Sequence, residues 1–99
     1  MNKQSIHSMT SLNLQEKYLE EAIPEITKFV QQTQNESGCV YMNFYQSVDN
    51  ATNIIFVSEF RSEDDYKVHD TSPWHQSIIE YLSDKLAGLP ERTNLTKIC

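Results

Sequence analysis

Leu19, Ala22, Ile23, Ile26, Phe29, Val30 and Thr33 recur at helical spacing and make one mainly apolar face, which predicts an amphipathic helix. Asn13 and Glu16 have the spacing of a capping box at its start. Pro24 lies inside it and removes the hydrogen bond to the Glu20 carbonyl, so a kink or break is expected there. The helix should stop near Asn35, before Gly38. Upstream, residues 4–12 read as a strand whose alternation is poor. Ile6 and Leu12 fall on one parity, His7 and Met9 on the other.

The pattern then changes to a period of two. In residues 39–46, Val40, Met42 and Phe44 form a core face, while Tyr41, Asn43 and Tyr45 form a mixed aromatic and polar one. Residues 47–52 supply turn chemistry and predict a hairpin. In residues 53–60, Ile54 and Phe56 point one way and Ile55 and Val57 the other, so both faces need cover. One subunit's helices cover one face. A second copy of the same sheet is the simplest cover for the other, which predicts a homodimer. Ser62 and Asp65 then open a helix that stops near Thr71. Ser72-Pro73 restarts one, with Trp74, Ile78, Tyr81, Leu82 and Leu86 as its stripe and Gly88 and Pro90 as its end. Residues 91–98 read as a polar last strand, suited to an edge or to a crossover onto a partner's sheet. The order β-α-β-β-α-α-β predicts an α+β, ferredoxin-like fold: a four-stranded antiparallel sheet with helices on one face.

Composition narrows the functions. The 99 residues fit one domain, residues 1–99, and a chain this short gains stability from a partner subunit. Eight basic against fourteen acidic side chains give a net charge of −6 and no basic face, which argues against nucleic acid as a partner. The longest unbroken apolar run, Ile54 to Val57, is too short to span a membrane. Met1 to Ser5 leads into no apolar signal core, so a cytoplasmic protein is expected. Cys39 and Cys99 belong to no metal-binding pattern, and no metal site is expected. Cys39 reads as a small buried apolar residue.

His69, late on the second helix, is the first candidate for proton transfer, because imidazole exchanges protons near neutral pH. Its competing role is a helix-end histidine that packs and caps carbonyls. His75, in the first turn of the third helix, is kept neutral by the positive helix end; it either bonds a substrate oxygen or caps the helix. Trp74 is either a flat wall for an aromatic ligand or core. Tyr41, Asn43 and Tyr45 suit a pocket or a dimer interface. Glu59 is a base on the third strand or a structural hydrogen-bond partner. Ser83-Asp84 lacks the elbow of a nucleophilic triad.

Several stretches together resemble one family. Glu36-Ser37-Gly38-Cys39 is similar to its E-x-G-C turn. Ser58 to His69 is similar to its strand-to-helix signature followed by a histidine. His69 to His75 resembles its H-x-x-[ST]-P-H-[FY] motif, and Leu86 to Pro90 its L-x-G-P turn. The family is that of the antibiotic biosynthesis monooxygenases, quinol monooxygenase-like proteins included. The resemblance implies a dimeric α/β barrel and, in some members, oxidation of quinols or phenols by O₂ with no cofactor. On this alignment Phe60 stands at the family's Trp, Ser58 at its Glu, and Trp74 at its post-proline His, with His75 one place later. Haem-degrading relatives carry an iron-ligating His roughly where this chain has Ile78 and Ile79. The expected function is therefore a cofactor-independent monooxygenase acting on a small aromatic or quinol-like substrate, with His69 for proton transfer, Trp74 for stacking and Asn43 for hydrogen bonding. An isomerase or lyase of a small oxygenated metabolite, and a non-catalytic ligand-binding dimer, remain open. A phosphorylated substrate would want cationic anchors, and the chain has only Arg61, Arg92 and six lysines.

Overall fold

The computed structural model describes residues 4–99. Residues 1–3, part of the N-terminal stretch expected to carry no secretion signal, lie outside the described residues. The chain runs through β1 (Ile6–Asn13), a 3₁₀ turn (Glu16–Tyr18), α1 (Leu19–Gln34), β2 (Cys39–Gln46), β3 (Asn53–Phe60), α2 (Glu63–Asp70), α3 (Pro73–Leu82) and β4 (Glu91–Leu95). The strands form one antiparallel sheet in the order β2-β3-β1-β4, with β4 at an edge beside β1. This is the α+β, ferredoxin-like arrangement that the element order predicts.

The core lies between the sheet and the three helices. The α1 stripe buries Ala22, Ile26, Phe29, Val30 and Thr33 against Leu12, Met42, Ile54 and Phe56. Burying each such large apolar side chain stabilises the fold by roughly 1.5–3 kcal/mol. Pro24 does not break α1, which runs on to Gln34. Ser62 caps α2 by accepting from the Asp65 N–H at 3.2 Å, and Ser72 caps α3 by accepting from the His75 N–H at 3.3 Å, with Pro73 in the first helical position. Both caps follow the expected chemistry.

Three local expectations are corrected. The Asn13–Glu16 capping box does not form. Asn13 ends β1, its carbonyl accepts from the Ala87 N–H, and a 3₁₀ turn leads into α1 without a side-chain cap. Val40 is 47% exposed and does not join Met42 in the core. A register shift between Cys39 and Tyr41 breaks the alternation there and turns Cys39 inward instead. Leu86 lies beyond α3, which stops at Leu82; it bridges to Leu14 and packs on the core from the loop.

Among the described residues, no helix lies on the sheet's other face. Tyr41, Tyr45, Met9 and Leu95 stand well exposed on it, beside half-buried Ile55 and Val57.

Candidate functional site

The site begins in the turn between α1 and β2. Glu36 sits there with its side chain 7% exposed. One carboxylate oxygen, Oε2, accepts two hydrogen bonds: from His69 Nδ1 at 2.9 Å and from Trp74 Nε1 at 2.7 Å. A single acidic group thus ties the α1–β2 turn to the end of α2 and the start of α3. The turn approaches α2 closely because residue 38 is glycine. A Cβ at Gly38 would collide with the Asp65 side chain, which is itself held by Ser62 Oγ at 3.1 Å. The Gly38 carbonyl accepts from the Arg61 N–H at 2.8 Å, locking the turn to the end of β3.

His69 is 4% exposed. Its ring lies against Phe60 with centroids 4.8 Å apart and against His75 at 4.9 Å. With Nδ1–H donated to Glu36, neutral imidazole carries its lone pair on Nε2, which has no hydrogen-bond partner among the described residues. That is the arrangement of a base oriented by a carboxylate. His75 Nδ1 donates to the Asp70 carbonyl at 2.9 Å. Its pKa lies below the ordinary imidazole value, first because burial disfavours the cation and then because the neighbouring His69 ring opposes a second positive charge. The sequence expectation of a neutral His75 has the right direction, but the main cause is burial. Asp70 also pairs with Arg92 of β4 at 3.0 Å. Burial, and then the Glu36 carboxylate, push the Cys39 thiol up to about 11.

His69 and His75 both line a cavity of about 610 Å³ between the inner face of the sheet and α2 and α3. Its walls are largely apolar, with Phe29, Phe56, Phe60, Ile78 and Leu82 among them. Its floor carries hydroxyls from Ser8, Thr10 and Ser58. This accounts for the weak alternation of β1: its inward positions line a cavity as well as a core. Among the described residues, no group of three or more His, Cys, Asp and Glu side chains is placed to hold a metal ion.

The remaining candidates lie elsewhere. Trp74 borders a separate hollow of about 200 Å³ between α1 and α3 and is tied to the site by its hydrogen bond to Glu36. Tyr41, Asn43, Tyr45 and Glu59 occupy the opposite face of the sheet, paired across strands as Tyr41 with Glu59, Asn43 with Val57 and Tyr45 with Ile55. Strand alternation turns them away, so the sheet itself separates them from the His69 cavity. Glu59 lies 3.9 Å from His7 on that face. Glu36 and Tyr66 are site or cavity residues that the sequence reading did not single out, and Ser58 entered it only as the residue at the family's Glu position. The signal for Glu36 is its place as the first residue of the E-x-G-C turn.

A protein-family model described as antibiotic biosynthesis monooxygenase matches residues 5–81. Solved structures with the same fold include a conserved protein of Methanosarcina mazei Go1, 20% identical, with a TM-score of 0.91 over 96% of this chain and 94% of that one. A crystal structure of an antibiotic biosynthesis monooxygenase is 8% identical, with a TM-score of 0.91 over 95% and 99%. Rv0793 of Mycobacterium tuberculosis is 16% identical, with a TM-score of 0.90 over 96% of each chain. At these identities the likeness speaks for the fold alone. No curated protein matches the chain. Among the described residues no helix is long and apolar enough to cross a membrane.

Proposed function

The chain belongs to the antibiotic biosynthesis monooxygenase family, and from that premise we propose that it is a cofactor-independent monooxygenase that oxidises a small quinol or phenol with O₂ in the His69 cavity. The observation that carries this reading is a single one: His69, held at Nδ1 by the buried Glu36 carboxylate, stands on the wall of a mostly apolar cavity.

His69 Nε2 takes the phenolic proton. The resulting anion is electron-rich and gives one electron to O₂. The radical pair combines at a ring carbon, and the His69 proton passes to the peroxide. Loss of water from that hydroperoxide leaves a ring carbonyl. The substrate supplies all the electrons: hydroquinone and O₂ give a hydroxyquinone and water, one oxygen atom in each product. The protein's part is to orient the ring, hold the proton and keep bulk water from the anion. The working unit is a homodimer, in which two copies cover each other's exposed sheet face. Tyr41, Asn43, Tyr45 and Glu59 then act at that interface.

The test is O₂ uptake by metal-free protein across a panel of quinols and phenols, compared with His69→Asn. Asparagine retains a nitrogen donor toward Glu36 and lacks the base. Loss of about 100-fold or more in turnover is expected, the usual contribution of a positioned general base. Wild-type turnover in that variant would remove His69 from the mechanism.

A further inference from the structure

The floor of the cavity is polar in a specific way. Ser58 of β3, Ser8 of β1 and Asn94 of β4 lie side by side in register across the sheet. Ser8 and Ser58 are 6% and 3% exposed. Ser8 Oγ spends its proton on Asn94 Oδ1 at 3.1 Å. Ser58 lines the cavity, and its hydroxyl has no hydrogen-bond partner among the described residues. Tyr66, which also lines the cavity and is 8% exposed, has a fully buried hydroxyl with no partner among the described residues. A buried polar group left unpaired costs about 1–3 kcal/mol, and native structures hold few of them. Tyr66 Oη is one of these, and the Ser58 hydroxyl opens onto the same mostly apolar cavity; the two mark places where a ligand's polar atoms belong.

The position of Ser58 relative to His69 is set by the strand. Phe60 packs under the His69 ring, and Ser58 is the next inward residue along β3, about 7 Å away at the strand's rise per residue. His69 and Ser58 line the same cavity, so a single aromatic ring bound there can meet both. The charge around it is balanced: among the described residues, the one Lys or Arg lining the cavity, Arg92, is paired with Asp70 at 3.0 Å. Among the described residues, no unpaired Lys or Arg is available there for a carboxylate or phosphate.

We propose that Ser58 is a specificity-determining residue that donates a hydrogen bond to a second, uncharged oxygen of the substrate, so that the cavity selects neutral aromatic rings with two oxygens over phenols with one and over anionic ligands. This rests on reading the cavity as a substrate site. It narrows the substrate class from phenols in general to dioxygenated rings.

Anaerobic titration calorimetry tests it without any turnover, using naphthalene-1,4-diol, 1-naphthol and 4-hydroxy-1-naphthoate on wild type and Ser58→Ala. The wild type should bind the diol about 5- to 10-fold more tightly than 1-naphthol, the value of one neutral hydrogen bond, and should bind the carboxylate most weakly. Ser58→Ala should erase the preference for the diol and leave 1-naphthol affinity unchanged, a selectivity change that a general loss of structure does not produce. Equal affinities for the diol and 1-naphthol in wild type, or a preference retained in Ser58→Ala, would overturn the assignment. Tightest binding of the carboxylate would also overturn it. Failure of all three probes to bind overturns both this and the oxygenase reading, whereas diol selectivity without O₂ uptake leaves Ser58 in place and removes the oxygenase.

Discussion

Glu36→Ala removes the one acceptor shared by the His69 Nδ1–H and Trp74 Nε1–H groups. The His69 side chain is 5% exposed, so its orphaned donor bears close to the full penalty, about 1–3 kcal/mol. Trp74 is half-buried and recovers part of its loss by meeting water. The sum is roughly 2–4 kcal/mol, a large share of the 5–15 kcal/mol that typically holds a domain folded. At ~4–8 °C per kcal/mol for a domain of this size, Tm should fall by roughly 8–32 °C. Glu36→Gln keeps an acceptor oxygen and loses only the charge assistance, so its Tm should fall between the two. Circular dichroism at one fixed protein concentration measures this, since association would make Tm concentration-dependent. Trp74 is the chain's only tryptophan, so its emission reports directly on the broken bond. A double-mutant cycle with Trp74→Phe should be non-additive, the second substitution costing less once Glu36 is gone. A Glu36→Ala protein with wild-type Tm and unchanged emission, or strict additivity in the cycle, would refute the role given to this carboxylate.

His75 has a depressed pKa in the folded state, so the stability linked to it is fully present above the unfolded value of 6.5 and is lost as pH falls below it. Urea midpoints between pH 7.5 and 5 should decline, and His75→Gln should flatten that decline; an unchanged slope in the variant would contradict it. With its thiol near 11, Cys39 should alkylate at pH 8 about 100-fold more slowly than a thiol at the ordinary value of 9.0, while exposed Cys99 reacts freely. Peptide mass spectrometry reads both sites, and equal rates would show Cys39 to be open. Val57→Asp places a charge in the middle of the uncovered sheet face. It should yield folded monomers in sedimentation analysis where the wild type sediments as a dimer, and a wild type that stays monomeric at millimolar concentration would end the dimer proposal.

The fold was legible because each element carries its own local signature: the α1 stripe, the serine caps at Ser62 and Ser72, and the double-sided apolar run of β3. Errors arose where one residue displaces a pattern. The irregularity after Cys39 exposed Val40, and the 3₁₀ turn replaced the Asn13 cap. In the site, His69 could be read from its motif and its place on α2. The Glu36–His69–Trp74 link could not, because it joins residues 33 and 38 positions apart in sequence, and only packing of the turn against α2 through Gly38 brings them together. Tyr41, Asn43, Tyr45 and Glu59 show the converse. Their face was correctly identified as distinct from the core, yet strand alternation fixes only that they share a face, and tertiary packing put the cavity on the other one.

The central claim is that a deprotonated aromatic ring in the His69 cavity reacts with O₂ itself. Incubation of metal-free protein with a turned-over quinol under ¹⁸O₂ tests it most directly, with product analysed by mass spectrometry. The account predicts one ¹⁸O atom in the hydroxyquinone and the other in water, with label lost in His69→Asn. Product formed at the same rate under strict anoxia, or bearing oxygen drawn from water, would contradict it.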